Sequence, residues 1–381
     1  MTNCPSCHDP VSPAEAFCEN CGLNLRDAAQ PPAPAADFEP PAAAGPVCAH
    51  CGAGQVAADG FCEACGMAQP SPRDHVELSL AGAAGVSDRG VRHHRNEDSF
   101  ALAATSLPDG KPAVVAVVCD GVSSAARPDE ASQTAADAAV EALLATLERG
   151  EQPEAAMRGA IGSAAAAVAA LAEAGPVPPP GHNAPACTVV SAVAAAGVVT
   201  VGWVGDSRAY WIPDDRADAE PYRLTEDDSW AAGMVAAGLM AEAEAYADAR
   251  AHAITGWLGA DAEEVVPHTV AFTPHVPGVL VICTDGLWNY AEAATDLADL
   301  VRVDARTDPL RAARAMVSFA VSAGGHDNIT VAVLPVQPDP AAGWSETVLD
   351  LPVLAPPVTG AAPPAVPPMP SFPPASRSEQ G

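Results

Sequence analysis

A chain of 381 residues, 49% of them hydrophobic but only 4% aromatic, is long enough for two or three folded units and a sizeable core. Its formal net charge of −30, with Lys111 as the single lysine, excludes a duplex-binding surface, which needs clustered cations to displace counterions. The start MTNCPSCHDP lacks the basic and apolar segments of a secretory signal, and the most apolar run, SAAAAVAALAEAG, is alanine-dominated and short for a bilayer span, so the expectation is a cytoplasmic protein with no membrane and no nucleic-acid partner.

The first 70 residues hold a repeat. CPSCHDPVSPAEAFCENCG begins at Cys4 and CAHCGAGQVAADGFCEACG at Cys48; each reads Cys-x2-Cys, ten residues, Cys-x2-Cys, Gly. Cys4, Cys7, Cys18 and Cys21, then Cys48, Cys51, Cys62 and Cys65, make two sets of four thiolates, the ligand set of structural zinc. A disulfide framework is the other reading of such spacing, disfavoured without a secretion signal, and redox chemistry at Cys-x2-Cys lacks a βαβ context. The units, residues 1–25 and 48–70, resemble zinc ribbons and look structural, so their expected role is docking. Between them, residues 26–47 are rich in Ala and Pro and read as a linker.

Residues 75–335 read as globular. Short apolar strands recur: VELSLAGAAG, AVVAVVC, TVVSAVAAA, VVTVGWVG, RAYWI, GVLVIC and ITVAVL. PDEASQTAADAAVEALLATLERG starts with acids and stops at Gly150, as a helix does. TDPLRAARAMVSFAVSAGG has Asp308 as N-cap, Pro309 in the first turn and Gly324 as stop. Strands outnumber helices and several are joined by tight turns, which points to antiparallel sheets with helices outside, an α+β layering. The last segment, 336–381, is Pro-rich and expected to be disordered, either inert or a Pro-rich ligand.

Carboxylates recur where the apolar strands begin or end. Asp120-Gly121 follows AVVAVVC, Asp285-Gly286 follows GVLVIC, and Asp206 lies between VVTVGWV and RAYW. Glu97 and Asp98 precede SFALAA, and Asp327 precedes Asn328 and ITVAV. One such Asp is usually a turn or a cap. Five motifs together, without matching Lys or Arg, require cations, and hard oxygen ligands select magnesium or manganese over zinc. Gly121 has no side chain, so its carbonyl can approach an ion, although a hairpin turn favours Gly equally. Cys119, Cys187 and Cys283 lie in apolar strands and read as core residues, not nucleophiles.

SDRGVRHHRNEDSF, VVCDGVSS, VGDSRAYW, AHAITGWLG, CTDGLWNY and GGHDNITV, in this order, resemble the metal-dependent protein phosphatases, the PPM or type 2C serine/threonine phosphatases, over about residues 78–335. The resemblance implies a four-layer α-β-β-α sandwich: two antiparallel sheets flanked by helices, here preceded by two zinc ribbons. It implies hydrolysis of phosphoserine and phosphothreonine in proteins by a metal-activated water, with two Mn2+ or Mg2+ ions and a weaker third. By motif, Asp120 is similar to the carboxylate bridging the ions, Gly121 offers its carbonyl, and Asp285 and Asp327 match ligands of the first ion. Glu97 and Asp98 match the acidic pair beside the metals, the glutamate acting through water, and Asp206 matches the ligand of the third ion. Asn328 would brace Asp327.

Three departures stand out. His93 occupies the position of the family's phosphate-binding Arg, with Arg92 and Arg95 alongside, so any of the three is a candidate for substrate phosphate. Val122 stands where some members have a general-acid His, and Asn289 where another Asp is common, which leaves the third metal open. The expected partners are phosphoproteins, targets of a serine/threonine kinase. The rival reading is a pseudo-phosphatase adaptor that binds partners through its ribbons with little turnover. Oligomeric state is not legible.

Overall fold

A strand that is apolar at every position needs an apolar neighbour on both faces. The computed structural model describes residues 2–3, 10–11, 47–57, 60–67, 69–174, 183–217, 219–262 and 264–338, and it gives each such strand both neighbours. The first cysteine set (Cys4, Cys7, Cys18, Cys21) lies outside the described residues, as do nearly all of the 26–47 linker and of the 336–381 tail.

A short pair, β1 (Thr2–Asn3) and β2 (Pro10–Val11), comes first. The second cysteine set follows, then a 3-10 turn at Pro72–Asp74 capped by Ser71. VELSLAGAAG is not one strand. It turns at Gly82, whose φ of +93° is a left-handed conformation, so that β3 (His75–Leu80) and β4 (Ala83–Asp88) form a hairpin. β5 (Ser99–Ser106) and β6 (Pro112–Cys119) form a second hairpin. Two long helices come next, α1 (Pro128–Glu148) and α2 (Pro153–Ala174). Then come β7 (Ala186–Cys187), β8 (Val189–Ala195), β9 (Val198–Val204), β10 (Arg208–Pro213) and β11 (Tyr222–Arg223). Two short helices, α3 (Trp230–Ala236) and α4 (Glu242–Ala245), precede β12 (Leu258–Gly259), β13 (His268–Phe272) and β14 (Gly278–Cys283). α5 (Asp285–Trp288), α6 (Ala294–Leu300), α7 (Pro309–Ala323) and β15 (Ile329–Val336) complete the order.

One sheet runs β11-β10-β14-β15-β4-β3 and the other β13-β9-β8-β6-β5, both antiparallel. The alternation along each strand sets the layers. In β14, Leu280 and Ile282 face the second sheet, while Val279, Val281 and Cys283 face the helices. In β6, Ala116 and Val118 face between the sheets, and Val115 and Val117 face α1 and α2. The result is the α-β-β-α sandwich expected. Each fully buried Leu or Ile contributes about 1.5–3 kcal/mol relative to exposure. The alanines of α1, among them Ala131, Ala135 and Ala139, contribute less each and let the helix lie close to its sheet.

The helix signals act as read. α1 carries Pro128, Asp129 and Glu130 in its first turn, and Gly150 follows at φ +80°. Asp308 caps α7 by accepting from the Arg311 amide at 3.0 Å. The apolar run expected to be short belongs to α2, a 22-residue helix long and apolar enough to cross a membrane by length and composition. Its buried face, Met157, Ala160, Ile161, Ala164 and Val168, packs into the core beneath the five-stranded sheet.

Candidate metal centre and active site

Antiparallel pairing places the acidic motifs at one end of the sandwich. Ser99 pairs with Cys119, so Glu97 and Asp98, just before β5, lie beside Asp120, just after β6. Cys283 pairs with both Arg208 and Val331, which brings Asp285 next to Asp206 on one side and Asp327 on the other. The first group comes from the five-stranded sheet; Asp285 and Asp327 come from the six-stranded one. The five aspartates meet: Asp120 feels the charges of Asp98, Asp285, Asp206 and Asp327.

The electrostatics are those of an anionic nest. Asp98 is 3% exposed, and burial first, then the charges of Asp327 and Asp285, lift its carboxyl to about 8 against hydrogen bonds that oppose the rise. Asp206 is lifted to about 8 and Asp285 to about 6, again by desolvation ahead of neighbouring carboxylates. Asp120 is driven up by the same causes. Asp120, Asp206 and Asp285 keep part of their surface open, but surrounding protein removes most of their water. Glu97 Oε2, Asp98 Oδ1 and Asp285 Oδ1 are buried and accept no hydrogen bond from any described residue. Orphaned buried carboxylate oxygens are costly, and hard divalent cations are the ligands that satisfy them. The donor set therefore fits Mg2+ or Mn2+.

Neighbouring residues fix these oxygens. Thr284 Oγ1 and Thr330 Oγ1 donate to Asp98 Oδ2 at 2.9 and 2.8 Å, so groups of the six-stranded sheet hold an acid of the other. Asn328 Oδ1 accepts from the Glu97 amide at 2.7 Å, and its Nδ2 donates to the carbonyls of Arg89 and Arg95. The Asn328 amide donates to Asp327 Oδ1 at 2.8 Å. Asn289 Nδ2 donates to Asp285 Oδ2 at 3.2 Å and so braces a ligand candidate instead of adding a charge. A Cβ on Gly121 would lie 2.6 Å from the carbonyl oxygens of Glu97 and Pro128, and one on Gly286 1.8 Å from that of Asn328, so the Asp-Gly pairs are sterically required. Behind Asp206, Trp288 Nε1 donates to its carbonyl at 3.0 Å. Arg208 stacks on the Trp288 ring and makes two hydrogen bonds to buried Asp227.

Thr284, Thr330, Arg208 and Asp227 were not singled out from the sequence. The available signal was a polar residue inside an apolar strand, as in Ile329-Thr330-Val331.

The basic triplet lies at the rim. His93 Nε2 is 3.1 Å from Asp327 Oδ1, and Arg95 Nε donates to Glu97 Oε1 at 2.9 Å. Arg92 is exposed, and its guanidinium contacts no described acid. All three line one cavity of about 520 Å³ with Phe61, His94 and Glu97. Val122 offers no acid, and its amide donates to the Ala186 carbonyl. Cys119, Cys187 and Cys283 are wholly buried, and burial raises the Cys119 and Cys283 thiols, so they are core residues.

The second cysteine set is closed. The four sulfurs of Cys48, Cys51, Cys62 and Cys65 lie within 4.8 Å of one another, with Cys48–Cys65 and Cys51–Cys62 at 3.7 Å. Zn–S bonds of about 2.3 Å put tetrahedral sulfurs about 3.8 Å apart, so the set fits one zinc ion. The Cys51 amide, opposed by burial, leads in lowering the Cys48 thiol to about 6.

The sequence profile of the family described as protein phosphatase 2C matches residues 89–315. The serine/threonine phosphatase stp of Listeria welshimeri is 28% identical over 248 residues, 64% of this chain and 92% of that protein. Among solved structures, the serine/threonine phosphatase Stp1 from Staphylococcus aureus aligns with a TM-score of 0.55 and 22% identity, over 69% of this chain and 98% of that one. The PPM Ser-Thr phosphatase MsPP from Mycobacterium smegmatis, in complex with cacodylate, aligns at 0.50 and 27% identity, over 68% and 100%.

Proposed function

The chain belongs to the protein phosphatase 2C family, the metal-dependent protein serine/threonine phosphatases, and from that premise we propose which of its residues carry the reaction. Asp120, the Gly121 carbonyl, Asp285 and Asp327 would hold two divalent cations. Glu97 and Asp98 would act beside them, Glu97 through water, and Asp206 would hold a third, weaker ion. When bound, Mn2+ or Mg2+ supplies positive charge to the phosphoryl oxygens and lowers the pKa of water at the site. The observation that carries this reading is the set of orphaned carboxylate oxygens, converging from both sheets; the rim cations His93 and Arg95 contact Asp327 Oδ1 and Glu97 Oε1 and leave the orphaned oxygens unpartnered.

The chain's own residues orient and bind. Thr284 and Thr330 hold Asp98 so that Oδ1 faces the centre. Asn328 ties the Glu97 loop to Asp327. His93 and Arg95, the rim cations in contact with Asp327 and Glu97, receive the phosphate, and guanidinium groups match its oxygens in pairs. Cys119, Cys187 and Cys283 are packed in the core, so no thiol serves as nucleophile. An adaptor without turnover is disfavoured, because the four core metal positions, Asp120, Gly121, Asp285 and Asp327, all keep their motif residues.

Zinc in both cysteine sets is supported by their identical spacing and, for the second set, by its sulfur geometry. Phosphoproteins made by a serine/threonine kinase in the cytoplasm are the substrates that fit this reading. The test is turnover of a phosphopeptide panel by the full chain with manganese, with magnesium and after chelation. Activity that survives removal of divalent cations would overturn it.

A further inference from the structure

The second cysteine set stands beside the acidic centre. Phe61, directly before Cys62, presents its ring to His94, with centroids 6.2 Å apart and planes at 66°. Phe61 sits in a turn closed by its carbonyl, which accepts from the Ala57 amide at 2.8 Å, next to the bridge between Val56 and Cys62. Zinc binding at Cys62 would therefore set where the Phe61 ring lies. The cavity of about 520 Å³ between ribbon and rim, within the usual range of about 300–1,000 Å³ for ligand clefts, has Phe61 on one side and Arg92, His93, His94, Arg95 and Glu97 on the other. It adjoins the reaction centre through Glu97 and through His93 on Asp327. In a chain of net charge −30 this is a local concentration of cationic groups, and the Arg92 guanidinium makes no hydrogen bond or ion pair with any described residue.

We propose that this cavity binds the substrate residues beside the phosphorylated one, that it selects an anionic group there, and that the zinc ribbon forms its outer wall. The ligand is a peptide carrying a carboxylate or a second phosphate next to the phosphoserine or phosphothreonine. Guanidinium groups pair with either anion, and an aromatic wall that excludes water strengthens the pairing. The inference rests on the phosphatase reading above.

The test uses the full-length protein with manganese and four phosphopeptides that differ only in the flanking residue: Glu, phosphoserine, Ala or Lys. Charged hydrogen bonds of this kind predict kcat/KM about tenfold or more higher for Glu or phosphoserine than for Lys. Arg92→Glu should abolish or invert that ratio, and Phe61→Ala should lower it several-fold with zinc content unchanged. Phe61→Leu, which keeps an apolar side chain in the ribbon, should lower it less. Arg149→Glu, at the far end of α1, should leave it as it is and so control for overall charge. A ratio near one in the wild type, or one that neither Arg92→Glu nor Phe61→Ala moves, overturns the inference and leaves the phosphatase reading standing. Failure to hydrolyse any peptide or an aryl phosphate overturns both. An advantage for phosphoserine alone over Glu narrows the anion to phosphate and upholds the subsite.

Discussion

Asp120 is ringed by four other carboxylates, and that crowding separates its structural cost from its catalytic use. On the proposed assignment Asp120→Asn removes an anionic ligand, so kcat/KM should fall by well over 100-fold, since even groups that only support metal ligands matter about 10–100-fold. Without divalent cations the same variant should melt higher than the wild type, because it relieves repulsion among desolvated like charges. Wild-type turnover in Asp120→Asn would sink the assignment. At the rim, His93 Nε2 is engaged by Asp327, whereas Arg95's terminal nitrogen makes only a long contact of 3.8 Å, to Asp129. Arg95→Ala should therefore raise KM for a phosphate ester about tenfold, the scale of one charge-assisted hydrogen bond. His93→Ala should act through Asp327 and raise the manganese needed for half-maximal rate more than it raises KM. Steady-state titrations of both substrate and metal separate the two, and unchanged values in both variants would remove the strip from substrate binding.

At the scale of elements, β10 is anchored by an ion pair with no exposure at Arg208 and 2% at Asp227. Removing Arg208 leaves buried Asp227 with only the longer 3.7 Å contact from Arg223, so Arg208→Met should cost about 3 kcal/mol in denaturant melts, and Arg208→Met with Asp227→Leu should recover much of it. A surface pair joins β3 to α7: Glu77 Oε1 accepts from Arg314 Nε at 2.8 Å. Arg314, then His75, holds the Glu77 carboxyl at about 2, below its ordinary 4.5. A depressed carboxylate stabilises the fold above the unfolded value and loses that contribution as pH falls from 4.5 toward 2. Glu77→Gln should flatten that part of the acid-melting profile, and an unchanged profile would assign the acid sensitivity elsewhere. The acids were legible as strand-end residues because apolar runs stop abruptly at each one. The β3–β4 hairpin was not, since Gly82 lies inside an unbroken apolar stretch, and β13 was too short to announce itself. The Thr284 and Thr330 hydrogen bonds to Asp98 were hidden too. They depend on how strands 186 and 232 residues apart register, which local periodicity does not encode.

Across the whole molecule, divalent cations should stabilise as well as activate. Manganese at about 100 times its dissociation constant adds about 2.7 kcal/mol per site, and for a domain of this size that is a rise of about 5–10 °C in Tm. Sodium chloride at equal ionic strength should do less; an equal rise with both would mean screening of the −30 charge and not site binding. The position of the second ribbon against the rim was beyond sequence reading, because the short stretch between Cys65 and β3 does not say which face of the domain the ribbon packs against. The hydroxyls of Thr284 and Thr330 reach across to Asp98, so acids of both sheets are tied together at the centre, and a cation held by the proposed ligands would join both halves of the sandwich. A substitution between the sheets, at Trp211 or Leu280, that lets one slip against the other should first show as a looser hold on manganese, well before the protein melts. The reaction centre would then work as a strain gauge on the alignment of the two halves, and half-saturating manganese, read across a library of such variants, would chart that alignment at distances no substrate ever touches.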